Sequence, residues 1–142
     1  MVLVDEKGLP LAFGDILAGN HNDLFEVVPQ FSKMCKNLKT NEIKLEKAIL
    51  NMDKDFDSQG LRRAVQRREI KPNVKENKRN RKKNKRGRKR FFDQEAYLKR
   101  FCVERTFAWL DAFRSLIIRY ETTVQNWKSL HFIASIILYL KV

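Results

Sequence analysis

Two carboxylates of this chain, Asp53 and Glu104, stand where catalysis could use them. Asp53 follows the short apolar run 47–52, and Glu104 lies within YLKRFCVERTFAW, an aromatic and apolar stretch at residues 97–109. Removing an ionised carboxylate from water costs several kcal/mol unless a cation or hydrogen-bond donors compensate. We therefore expect Glu104 to have a compensating partner if this stretch packs inside a domain.

Converging carboxylates have one common use at a phosphodiester. They hold divalent ions, which activate the attacking oxygen and stabilise the leaving one. Carboxylate and water ligands favour Mg²⁺ or Mn²⁺. The spacing alone equally allows a simpler interpretation, in which Asp53 begins a turn and Glu104 pairs with Arg100 at i, i+4.

A basic block gives the chain most of its charge. The formal net charge of the 142 residues is +13, and residues 71–90 hold twelve Lys or Arg against the one acid Glu76, a net charge of +11. Such a block commonly neutralises nucleic-acid phosphates, which makes binding salt-dependent. A solubilising linker and an arm for an anionic membrane surface are the alternatives. The residues that we expect to contact DNA here are Arg79, Arg81, Lys82, Lys83, Lys85 and Arg86.

Other functional classes find little support in the sequence. DKDFDSQG has Ser58 where a calcium loop has Gly and Ala64 where it has Glu, and no glycine-rich phosphate loop or His/Cys metal cluster occurs. Cys35 and Cys102 lack ligand spacing and predict reduced core thiols in a cytoplasmic protein. The apolar run 130–140 is 11 residues long. That is too short to span a bilayer and predicts a core helix.

The first forty residues predict a hairpin and a helix. Two apolar segments flank the turn 5–8, as in a β-hairpin. Asn22 or Asp23 then caps a helix with apolar residues at helical spacing as far as Leu38, and Pro29 bends or restarts it. We expect this helix to lie on a sheet.

A strand, helix, strand unit is predicted next. The run 47–52 is typical of a buried strand and delivers Asp53 at its carboxyl end. Asp57 or Ser58 can cap the following helix, and residues 70–74 can return as a second strand. The unit therefore predicts an α/β fold, with helices packed on a sheet.

Two long helices complete the predicted elements. Asp93 caps the first, which runs to about residue 119. On this helix Tyr97, Arg100, Glu104 and Asp111 lie within about 60° of one another, between two apolar flanks. We expect a buried helix whose polar stripe faces a site. A final helix has a core face formed by Trp127, Leu130, Ile133, Ala134 and Ile137.

Several segments, in this order, resemble the DDE transposases of bacterial insertion sequences, in the insertion-sequence-five group of the four-and-five superfamily. They are VDEKGLPLAF, GNHND, MDKDFDSQGL, IKPNV, YLKRFCVERTFAWL, FRSLIIRYET and LHFIASIIL. VERTFAWL with the following FR and RYET is the specific part, and the resemblance covers essentially the whole chain. It implies that residues 1–142 form part of an RNase H-like catalytic domain that uses Mg²⁺ or Mn²⁺.

The resemblance also implies roles for individual residues. The family's second metal-binding acid, in its D-(K/R)-x-(Y/F)-D-S segment, falls on Asp53, and the third, in VER, falls on Glu104. Tyr97 and Arg100 match a Y-x2-R-x3-E-x6-K signature, in which they position DNA phosphates near the cut. Asp111 stands where that signature has Lys. The implied reaction is hydrolysis at the transposon end, followed by attack of the freed 3′ hydroxyl on target DNA.

The family's first acid lies on a strand upstream of the hairpin, whereas this chain begins at the hairpin. Asp5 is a poor substitute because it lies in the turn. We therefore expect an RNase H-like fold that is incomplete at its N-terminus, from a truncated or split-frame product that is inactive alone. Such a product would form a homodimer or pair with an upstream-frame product, in the bacterial cytoplasm at the nucleoid. The alternative function is a non-catalytic basic module that binds nucleic acid.

Overall fold

The computed structural model describes residues 1–77 and 90–141 in two compact units. Unit 1 combines Met1–Ala18 with Phe101–Val142, and unit 2 spans Gly19–Arg100. The elements are β1 (Val2–Val4), β2 (Pro10–Phe13), α1 (Val27–Thr40), β3 (Ile49–Met52), α2 (Gln59–Gln66), β4 (Lys71–Val74), α3 (Gln94–Leu98), α4 (Cys102–Asp111), α5 (Arg114–Ile117) and α6 (Val124–Lys141). The predicted α/β class is therefore confirmed.

The predicted hairpin of unit 1 is present. Strands β1 and β2 are antiparallel, with Val2 opposite Phe13 and Leu3 opposite Ala12. One oxygen of Asp5, Oδ1, accepts hydrogen bonds from the backbone N–H groups of Lys7 at 2.9 Å and Leu9 at 2.7 Å. Asp5 thus shapes the turn, as its position in the sequence predicts.

Gly8 occupies a position in this turn that other residues would strain. Its φ is +86°, and a Cβ built there would lie 2.7 Å from the carbonyl oxygen of Cys102 in α4. The Thr106 hydroxyl also donates a hydrogen bond to the Gly8 carbonyl. The backbone of the turn therefore lies directly against α4.

Gly8→Ala should lower the free energy of unfolding by about 2 kcal/mol or more, because a left-handed residue with a Cβ costs about 1–2 kcal/mol before any clash. Urea unfolding followed by circular dichroism would measure the change. Gly19→Ala is the matched control, since a Cβ there meets nothing within 4 Å. Equal effects of the two substitutions would contradict the proposed strain at Gly8.

Unit 1 has its core between β2 and the helices that follow α3. Phe13, Trp109, Phe113 and Leu130 pack against a buried cluster formed by Leu9, Leu110, Leu116, Ala134 and Leu138. Across this unit Lys128 forms an ion pair with Asp15 at 3.0 Å, and the Tyr139 hydroxyl donates to the Pro10 carbonyl at 3.0 Å. These contacts join α6 to the hairpin.

The predicted final helix is confirmed as α6, but its core face is only partly right. Ala134 is buried as expected, whereas Ile133 is 53% exposed and Leu138 is buried in its place. Apolar residues surround much of this helix, so periodicity alone could not select the buried face. Within residues 1–77 and 90–141, no helix has the length and apolar character needed to cross a membrane.

The predicted strand, helix, strand unit is confirmed in unit 2. Strands β3 and β4 are parallel, with Ile49 opposite Lys71 and Met52 opposite Val74. Between them, the Ser58 hydroxyl caps α2 by accepting the N–H of Leu61 at 3.2 Å. Ser58, not Asp57, is therefore the cap. The burial predicted for β3 is restricted to its carboxyl end, because Met52 is buried and Ile49 is exposed.

Helix α1 begins later than the sequence suggests and packs against α2. Its N-cap is Glu26, at φ 49° and without a side-chain capping bond, so the predicted cap at Asn22 or Asp23 is wrong. Instead, Asn22 accepts the N–H of Leu24 within the preceding turn, at 3.1 Å. Pro29 falls in the first turn of α1, where a backbone N–H is not needed.

The single long helix predicted from Asp93 is wrong. Asp93 does cap α3, by accepting the N–H of Ala96 at 3.0 Å. A 3₁₀ turn at Lys99–Phe101 then separates α3 from α4, and α4 ends at Asp111. The predicted polar stripe thus does not lie on one continuous helix.

Candidate active site

Asp53 lies at the carboxyl end of β3, as predicted. It caps the 3₁₀ turn Lys54–Phe56, and its Oδ1 accepts the backbone N–H of Lys54 at 2.6 Å. Its Oδ2 lies 3.5 Å from Nη1 of Arg100, and 46% of the side chain is exposed. One carboxylate oxygen therefore serves the backbone, while the other faces a cation, on a side chain that is partly exposed.

Unit 2 brings Tyr97 and Arg100 to Asp53. Tyr97 is buried in α3, and the Arg100 guanidinium lies 5.1 Å from the centre of its ring. A cation over an aromatic face is attracted by the ring's negative potential. Tyr97 therefore supports Arg100 while Arg100 pairs with Asp53.

Glu104 belongs to unit 1 and is exposed in the first turn of α4. The aromatic neighbours that suggested burial are themselves about half exposed, Phe101 at 47% and Phe107 at 50%. The expectation of a buried helix around Glu104 is therefore wrong, and the condition under which Glu104 would need a compensating partner is not met. The reason is that α4 buries a different face, which carries Thr106 and Leu110.

Asp57 is a buried acid whose importance the sequence analysis missed. Its Oδ1 accepts from Nε of the buried Arg62 at 2.7 Å, and Nη2 of Arg62 donates to the Val74 carbonyl at 2.9 Å. Oδ2 of Asp57 accepts the N–H of Asn77 at 2.9 Å, and Nη1 of Arg90 lies 3.5 Å from Oδ1. This ion pair ties the start of α2 to the end of β4. The sequence did contain one signal for this ion pair, because Arg62 is a basic residue on the apolar face of α2.

Asn73 is a second residue that the sequence analysis missed. It is fully buried in β4, and its Nδ2 donates to Oδ1 of Asn51 at 2.8 Å and to the Asp93 carbonyl at 2.9 Å. Its Oδ1 accepts the N–H of Asp93 at 3.0 Å. Asn73 thereby fixes the residue at which α3 begins, and α3 carries Tyr97.

The cysteines are not placed for nucleophilic chemistry. Both are free thiols, with Cys35 buried and Cys102 partly buried. Burial raises the pKa of the Cys35 thiol, and burial together with the nearby Asp5 carboxylate raises the pKa of the Cys102 thiol. Both thiols are therefore protonated at neutral pH, and the thiolate is the nucleophilic form.

Six of the basic residues expected to contact DNA fall between Asn77 and Arg90. Arg79, Arg81, Lys82, Lys83, Lys85 and Arg86 lie outside the described residues. In the part of the chain that is described, no three His, Cys, Asp or Glu side chains are grouped so that they could hold a metal ion.

The sequence matches the family model described as Transposase DDE domain over residues 1–139. Because this match covers nearly the whole chain, the protein belongs to that family. The family acts on DNA and typically uses divalent metal ions. No curated protein and no solved structure matches the chain significantly.

Proposed function

We propose that this chain carries two catalytic carboxylates of a DDE transposase, Asp53 and Glu104. It would act in hydrolysis at transposon ends and in strand transfer to target DNA. The family match supports the class of enzyme. The observation that carries the site is the carboxylate of Asp53 at the end of β3, beside Arg100. The insertion-sequence-five group is the proposed subgroup because of the segment VERTFAWL.

Mg²⁺ or Mn²⁺ is the proposed cofactor, with Asp53 and Glu104 as its protein ligands. Oδ2 of Asp53 already faces a positive charge, and the side chain is partly exposed. Mg²⁺ is commonly held by one or two carboxylates together with substrate phosphates, which suits this small set of acids. When bound, the ion would activate the attacking oxygen and stabilise the leaving one.

Arg100 and Tyr97 are proposed to hold a DNA phosphate near the cut. The planar guanidinium can donate two parallel hydrogen bonds to a phosphate. The ring of Tyr97 keeps that guanidinium in place. We infer that Arg100 exchanges Asp53 for the phosphate when DNA binds, which leaves Oδ2 of Asp53 available to the ion.

The basic block supplies the proposed general contacts with DNA. Its charge would neutralise backbone phosphates and make the affinity salt-dependent. Self-association, or pairing with an upstream-frame product, remains a prediction, as does a location at the bacterial nucleoid. The residues proposed for these contacts are Arg79, Arg81, Lys82, Lys83, Lys85 and Arg86.

Glu104→Gln tests this proposal because it removes the ligand charge and keeps the shape. We expect metal binding to weaken by about tenfold or more, since loss even of a residue that only supports a ligand costs about 10–100-fold. DNA affinity without metal should stay within about twofold, because phosphate contacts with basic residues dominate it. Mn²⁺ titration with a duplex oligonucleotide, and fluorescence anisotropy without metal, measure the two quantities.

Asp111→Asn is the matched control, because Asp111 is an exposed acid on the same helix. It should leave metal binding unchanged. If Glu104→Gln also leaves metal binding unchanged while DNA still binds, the alternative function of a non-catalytic basic module is favoured.

A further inference from the structure

Unit 2 contains a cleft between α2 and the beginning of β4. Its volume is about 530 Å³, and neither Asp53 nor Arg100 lines it. Four of its lining residues are basic and one is aromatic. They are Arg62, Arg63, Lys71, Arg90 and Phe91.

Two of the four cations are available to a ligand. Arg62 is occupied by Asp57, and Arg90 lies near both Asp57 and Glu76. Arg63 and Lys71 are exposed, and neither forms an ion pair with another residue that the structure describes. The cleft therefore presents uncompensated positive charge opposite a single lining acid, Glu69.

Phe91 gives the cleft a partly exposed aromatic side chain. The side chain is 47% exposed, and Nζ of Lys71 lies 6.0 Å from the centre of its ring. An aromatic ring next to cations is the combination that binds single-stranded nucleic acid, because bases stack on the ring and phosphates pair with the cations. An inorganic anion, by contrast, would contact only the cations and would gain nothing from the ring.

We infer that this cleft binds one strand of nucleic acid, with a phosphate between Arg63 and Lys71 and a base stacked on Phe91. The inference rests on the proposed function, which makes DNA the substrate. It adds to that function a binding site for a single strand, built by α2, β4 and the residues before α3. Such a site would hold a strand that is no longer paired.

The test is the affinity of the full chain for a labelled single-stranded DNA decamer, measured by fluorescence anisotropy at several salt concentrations. Phe91→Ala should weaken binding by about fivefold or more, and Phe91→Trp should preserve it. Arg63→Ala and Lys71→Ala should each reduce the salt slope by about 0.7, the value for one phosphate contact on a single strand.

Two controls match these changes outside the cleft. Phe25→Ala removes another exposed ring of unit 2, and Arg67→Ala removes an exposed cation at the end of α2. Both should bind like the unaltered chain. Unfolding midpoints of all variants would separate lost binding from lost folding.

Three outcomes would overturn the inference. Equal affinities for Phe91→Ala and Phe25→Ala would exclude stacking in the cleft. If Arg63→Ala and Lys71→Ala have the same salt slope as Arg67→Ala, the phosphate contact is excluded. In both of these cases, DNA binding by the unaltered chain would leave the proposed function standing. If the unaltered chain binds neither single-stranded nor duplex DNA, the proposed function fails as well.

Discussion

Asp57→Ala should lower the free energy of unfolding by about 3–5 kcal/mol, the largest effect that we expect from any single substitution. It would leave the guanidinium of Arg62 buried without its carboxylate, and breaking a buried ion pair from one side costs about that much. The N–H of Asn77 would lose its acceptor as well. Urea unfolding followed by far-ultraviolet circular dichroism would measure the change.

Two variants separate the ion pair from general effects of charge. Asp55→Ala removes an exposed acid two residues away, together with one exposed hydrogen bond from Asn77, and should change stability by less than about 1 kcal/mol. The double variant Asp57→Leu with Arg62→Met should recover much of the loss, because an apolar pair can replace a buried ion pair at little cost. Similar losses for Asp55→Ala and Asp57→Ala would contradict this account.

Asn73→Leu should cost about 3 kcal/mol, the second largest effect. The leucine would fill the space, but the N–H and carbonyl groups of Asp93 and the side-chain amide of Asn51 would lose their partner. A buried polar group without a partner costs about 1–3 kcal/mol. Hydrogen exchange at the Asp93 amide, together with urea unfolding, would detect the loss. Under the proposed function DNA affinity should also fall, because α3 carries Tyr97, which is proposed to support the phosphate contact of Arg100.

Asn51→Ala is the control for Asn73, since it removes only one of the three hydrogen bonds. It should cost less than Asn73→Leu and should leave the Asp93 amide protected from exchange. Full protection of that amide in Asn73→Leu would show that Asn73 does not fix the start of α3.

The elements that the sequence predicted correctly are those with a strong local signal. The hairpin has apolar strands on both sides of a turn that contains Gly8, and Ser58 is a good N-cap directly before α2. The start of α1 and the break after α3 lacked such signals. Side-chain caps are worth about 1 kcal/mol, so tertiary packing can easily place a helix boundary elsewhere.

The candidate site was predictable only in part for a similar reason. Asp53 could be placed at a strand end because the strand ends where its apolar run ends. Its pairing with Arg100, and the pairing of Asp57 with Arg62, depend on tertiary contacts that no spacing encodes. The burial expected for Glu104 was wrong because exposed aromatic residues, such as Phe107, resemble core residues in a sequence.

Asp57 also has a consequence for how this family can vary. It contacts Asn77 on one side of residues 78–89 and Arg90 on the other, so one carboxylate holds together the two chain positions that flank this segment. When two chain positions are held together in this way, each doubling of the number of residues between them adds only about 0.6 kcal/mol of loop-closure entropy. Changes in length or charge between Asn77 and Arg90 should therefore be compatible with the same packing of α2 against β4, as long as both contacts with Asp57 remain.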